Sequence, residues 1–178
     1  LVVDGVHQYT AFYRELSEQL GKGTGWTWSA HAMGYNFYGL FCYYLCSPFS
    51  FLILLFMKFM YVNEAVTAVI LIKAGLCSVS IAWYSGKKYP GRGSMAVSLG
   101  CMYALSNFLI GYYSNVMWLD CIMLLPVLAY LIEQLVHTGK WRGYCLVLGY
   151  CILTLSLIHI SEPTRLLSIS YAVFCLKK

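Results

Sequence analysis

The stretch VNEAVTAVILIKAGLCSVSIAWYS, residues 62–85, decides what kind of protein this is. It carries two charged residues, Glu64 near one end and Lys73 in the middle. A membrane-crossing helix needs about 20 mostly apolar residues, and this run predicts one. The whole chain agrees with it. Of its 178 residues 60% are hydrophobic and 11% charged, with a mean hydropathy of +0.67. A soluble domain is about 25% charged, so this chain has too little charge to cover a globule in water. A disordered chain and a nucleic-acid binder are excluded on the same ground. The formal net charge of +5 matters less than where the basic residues fall. Cys42, Cys46, Cys77, Cys101, Cys121, Cys145 and Cys151 lie singly in apolar runs, without the CxxC pairing of zinc or redox sites, and read as small buried hydrophobes.

Working outward from that helix, residues 94–113 predict a second span, 117–137 a third and 141–154 the start of a fourth. On the other side, residues 36–60 are apolar but broken by Ser47-Pro48. They read as two short interfacial or re-entrant helices, with Tyr38, Tyr43 and Tyr44 suited to the headgroup level. Residues 6–20 place Tyr9, Phe12, Tyr13, Leu16 and Leu20 at helical spacing, with Arg14, Glu15, Ser17 and Glu18 largely opposite. That pattern predicts an amphipathic helix on the membrane surface, within an outer segment covering residues 1–35. The fold class is therefore all-α and polytopic.

Orientation follows from the basic residues. Lys87, Lys88 and Arg92 sit in the loop after the first span, and Lys140 and Arg142 flank the loop after the third. Two spans separate these loops, so they share a side, and the excess of Lys and Arg makes it the cytoplasm. Asp4, Gln8, His31, Asn36, Asn115 and Asp120 then fall together on the outer face.

Each polar candidate has an ordinary reading beside a functional one. Asp4 precedes a helix and can cap it; it can also serve as a general base in an outer cavity, with Gln8 beside it. Asp120 can cap the third span or line the same site. Lys73 lies far from both ends of its helix, where a cation is costly and by default functional or internally paired. His7 and His31 lack metal-ligand spacing and read as polar surface groups. The Tyr-rich stripes read as interfacial belt or packing.

Several strings appear in a fixed order: Asp4-x-x-x-Gln8-Tyr9, Trp28-Ser29, Gly34-x-Asn36-Phe37-x-Gly39, Tyr43-Tyr44-x-x-Ser47-Pro48-Phe49, Lys73, Tyr103-Ala104-Leu105-Ser106, Asn115-x-Met117-Trp118-Leu119-Asp120 and Leu125-Pro126. This order resembles the bacterial YfhO membrane-protein family, over nearly all of residues 1–154. The family is similar to GT-C glycosyltransferases, polytopic enzymes that take a sugar from a polyprenyl-phosphate carrier on the outer face. The resemblance implies an enzyme of the bacterial plasma membrane that decorates a cell-envelope polymer of the teichoic-acid type. It further implies that this chain is an N-terminal fragment of a longer protein, truncated at both ends. Asp4 falls at the position of the catalytic acid in the first outer loop. Gln8, Asn36, Lys73 and Asp120 become substrate-binding candidates, Lys73 as the cation facing a lipid phosphate. The residues name no cofactor, and the resemblance leaves room for a divalent metal linked to the acid. The competing readings are a transporter or flippase of lipid-linked sugars, using Lys73 and the Ser47-Pro48 break, and a non-catalytic membrane subunit.

The far end reads differently. The string LSLIHISEPTR at residues 155–165 resembles a translated transposase-type sequencing adapter. ISYAVFCL at residues 169–176 resembles a flow-cell adapter in the same frame, and Lys177-Lys178 the poly-A beyond it. Residues 155–178 are set aside from functional inference.

Overall fold

The computed structural model describes residues 9–22 and 37–154. Among them the chain is helical throughout, with no strand. The elements are α1 (Thr10–Lys22), α2 (Phe37–Leu40) running into a π-helical turn (Phe41–Leu45), α3 (Phe49–Phe56) and α4 (Val62–Lys88). They continue with α5 (Gly93–Ala104), α6 (Asn107–Tyr112), α7 (Trp118–Thr138) and α8 (Arg142–Thr154). Val62–Lys88, Gly93–Tyr112 and Trp118–Thr138 are each long and apolar enough to cross a membrane. The fold is an all-α membrane architecture.

α4 is the central element. Its 27 residues make a rod about 40 Å long at 1.5 Å per residue. Glu64 accepts a hydrogen bond from the Tyr61 backbone N–H at 3.3 Å, which fixes the start of the helix. Lys87 and Lys88 lie in its last turn, where cations suit the partial negative charge of the exposed carbonyls. Gly91, with φ of 86°, then turns the chain into α5.

α5 packs back along α4 at close range. A Cβ on Gly100 would stand 2.8 Å from Ser78 Oγ and 3.0 Å from the Ser78 carbonyl oxygen. Small residues at such crossings let helices approach where lipid supplies no hydrophobic drive between them. The single span expected over 94–113 is interrupted. Ser106 adopts an extended conformation, and its hydroxyl accepts from Leu109 N–H at 3.5 Å. That cap starts α6 as a separate short helix.

α7 runs parallel to α4 in a register offset of about 47 residues, set by Lys73 with Asp120, Trp83 with Tyr130, and Tyr84 with Glu133. α7 therefore begins well along α4 rather than at its start. The first half of α4 packs instead against α1 and α3. The core gathers there: Tyr9, Tyr13 and Leu16, then Phe37, Leu45 and Ile53, against Ala65, Val66 and Val69 with Leu109, Val116 and Leu119.

α1 lays its apolar side on α3 and α4. Two of its residues depart from the helical-wheel expectation. Glu15, expected on the polar side, is buried, whereas Leu20 is exposed. A helical wheel records the periodicity of the helix itself and not what packs against it.

Candidate functional site

The polar centre of the molecule is the ammonium of Lys73, fully buried on α4. Its Nζ lies 2.7 Å from Asp120 Oδ1, on the first turn of α7, and Asp120 is 1% exposed. The same nitrogen donates to the Val116 carbonyl at 2.9 Å and to Ser47 Oγ at 3.3 Å. The Phe49 ring covers it, with the ring centre 4.9 Å away. An ammonium has three N–H donors; two go to the Val116 carbonyl and Ser47 Oγ, while Asp120 Oδ1 stands at ion-pair distance without hydrogen-bond alignment. Neither Asp120 oxygen has a hydrogen-bond donor among the described residues.

Each acceptor is there for a local reason. Ser47-Pro48 ends the π-helical turn, and Ser47 Oγ also accepts from Phe49 N–H at 3.3 Å, opening α3. Val116 lies in the turn closed by Trp118 N–H on the Asn115 carbonyl at 3.0 Å, just ahead of α7. The cap residue of α7, Met117, offers no side-chain cap. Asp120, in the first turn, suits the positive end of the helix dipole while pairing with Lys73.

A polar thread continues to α1. Ser50 N–H donates to the Ser47 carbonyl at 2.9 Å, and Ser50 Oγ is 3.3 Å from the Tyr13 hydroxyl. Burial pushes the Tyr13 phenol up to about 12, against a smaller downward pull from the Ser50 hydrogen bond. Tyr13 thus stays a neutral hydroxyl across the biological pH range.

A second ionic group ties the far ends of α4 and α7. Tyr84 donates to Glu133 at 2.8 Å and Lys88 donates to Tyr84 at 3.0 Å, with Lys88 and Glu133 also in direct contact. This group is partly exposed, so solvent and salt screen it.

Of the five residues singled out in the sequence, the structure brings two together, Lys73 and Asp120. Asp4, Gln8 and Asn36 lie outside the described residues, as do His7 and His31. Lys73, read from the sequence as functional or internally paired, is paired in the structure with a carboxylate of this same chain, not with one from a segment outside it. Sequence reasoning missed Ser47, Phe49 and Val116 as members of this centre. The Ser47-Pro48-Phe49 string was visible as a helix break, but a backbone carbonyl leaves no signature in side-chain chemistry. No three His, Cys, Asp or Glu side chains among the described residues gather where they could hold a metal ion.

Compared with known proteins, residues 1–158 match the family described as Bacterial membrane protein YfhO. No curated protein and no solved structure matches the chain.

Proposed function

The chain belongs to the YfhO family of bacterial membrane proteins, and from that membership we propose that it is part of a membrane glycosyltransferase. The enzyme moves a sugar from a polyprenyl-phosphate carrier to a cell-envelope polymer of the teichoic-acid type, on the outer face of the plasma membrane. One observation carries the reading beyond the family. Ser47, Phe49, Lys73, Val116 and Asp120, from three separate stretches, converge on one buried ion pair. Intramembrane ionisable groups are expensive and mark functional regions.

In the proposed reaction Asp4 takes the proton from an acceptor hydroxyl as its oxygen attacks the sugar C1. The new C1–O bond forms as the bond from C1 to the carrier phosphate breaks, and the electron pair leaves with the phosphate. Gln8 and Asn36 bind the sugar. Lys73 and Asp120 act on substrate directly only if their pair opens. Closed, the pair holds the turn before α7 against the Ser47 turn.

The test is Asp4→Asn in the full-length protein. Polymer glycosylation falls below detection while the lipid-linked donor stays at its normal level. Unchanged glycosylation removes Asp4 from the mechanism. The interruption between α5 and α6 beside a buried ion pair favours a second reading, translocation of the lipid-linked sugar. In that case an inactive variant loses donor at the outer face instead.

A further inference from the structure

Pro126 stands inside α7. Proline has no backbone N–H, and its ring crowds the carbonyl four residues earlier. In α7 that carbonyl belongs to Ile122, which is left without its helical donor. A carbonyl unsatisfied at membrane depth is costly, because no water is there to replace the donor. The Tyr103 hydroxyl, from the last turn of α5, donates to the Ile122 carbonyl at 2.8 Å.

We propose that Tyr103 is a positioning residue, whose hydroxyl returns to α7 the hydrogen bond that Pro126 removes and thereby holds in place the turn that carries Asp120. Ile122 is two residues beyond Asp120. A carbonyl left to tilt outward at that point loosens the turn just where Oδ1 must stay 2.7 Å from Lys73. The donor end is itself fixed. Leu105 N–H bonds the Cys101 carbonyl at 3.0 Å, and Ser106 N–H bonds the Tyr103 carbonyl at 3.2 Å. The end of α5 is thus closed on both sides of Tyr103 before the chain breaks into α6. The Tyr103 bond transmits the place of that break to the corner of α7. What the corner serves rests on the glycosyltransferase reading; the bond does not.

The test compares four full-length chains in nanodiscs: the parent, Tyr103→Phe, Pro126→Ala and the double variant. The alanine introduced by Pro126→Ala brings an N–H that can bond the Ile122 carbonyl, so it replaces what the phenol supplies. Alone, Tyr103→Phe leaves a partly buried acceptor unpaired and shifts the unfolding equilibrium by about tenfold. Exchange of the backbone amides in the first two turns of α7 speeds up in parallel. In the Pro126→Ala background the same substitution shifts the equilibrium by no more than about twofold, since the carbonyl now has its helical donor. Amide exchange returns to the parent rate. An equal loss in both backgrounds means Tyr103 acts by ring packing alone and overturns the proposal, as does no loss in either. Sugar transfer is read separately. A positive cycle with undiminished transfer in Tyr103→Phe leaves the bond standing and counts against the proposed role of the corner.

Discussion

Lys73→Met is the most informative perturbation of this molecule. Methionine keeps the length of the stem and removes the charge. Asp120, 1% exposed, is then a carboxylate with no counter-ion, and Val116 and Ser47 lose their donor. Breaking a buried pair from one side costs about 3–5 kcal/mol, because the abandoned charge cannot return to water. Asp120→Leu has a loss of the same order, now for a stranded ammonium. Making both substitutions removes both charges. The remaining penalty is the unpaired Val116 carbonyl, about 1–3 kcal/mol. The double variant is therefore more stable than either single one, and the coupling is about 3 kcal/mol or more. Unfolding in mixed micelles with increasing SDS measures all four chains. If Lys73→Met unfolds within about 1 kcal/mol of the parent, or the two losses simply add, the pair does not hold the fold as argued.

Gly100→Leu separates α5 from α4, because even a Cβ at that position meets the Ser78 carbonyl at 3.0 Å; we expect a loss of about 1–3 kcal/mol in the same assay, with Gly100→Ala smaller. Glu133→Gln, at the partly exposed end of α4 and α7, changes stability little, and that small effect disappears at high salt. Tyr13 supplies a pH prediction. Its folded value, about 12, is above its unfolded value of 10.0, so below pH 10 both states keep the proton and its contribution is intact. Between pH 10 and 12 the unfolded chain loses the proton first, and stability falls. In Tyr13→Phe that part of the alkaline decline is absent, which a comparison of thermal unfolding at pH 9 and pH 11 detects.

The sequence made some of this legible because the relevant physics is local. The length and apolarity of α4, the Ser47-Pro48 break and the cost of a cation at Lys73 are all readable one helix at a time. The family resemblance rests on the same strings that form the polar centre. What was not legible is long-range or carried by the backbone. Asp120 lies 47 residues from Lys73, and only the parallel register of α4 and α7 brings them together. The Ile122 carbonyl is an acceptor only because Pro126 follows it, and nothing in the sequence says that Tyr103 reaches it. Glu15 shows the limit of a helical wheel, which knows the helix but not how far its neighbours extend. The Ser106 cap was hidden inside an apolar run long enough to cross a membrane. Asp4, Gln8 and Asn36 fall outside the described residues, so their roles rest on the resemblance.

The ion pair decides between the two uses of Lys73. For a carrier phosphate to meet the ammonium, the Asp120 pair must open, and that step costs free energy. A positioning role needs no opening. The two polar couples, buried Lys73 with Asp120 and partly buried Tyr103 with Ile122, act on the same first turns of α7 from α4 and from α5. A corner held from two sides keeps its shape while substrate binds and is released. If Lys73 instead touched the phosphate, Lys73→Met would weaken binding of the carrier while Asp120→Leu strengthened it, since only the latter frees the ammonium. Under the positioning argument both variants lose transfer alike, and titrating a polyprenyl-phosphate analogue against the two separates the cases.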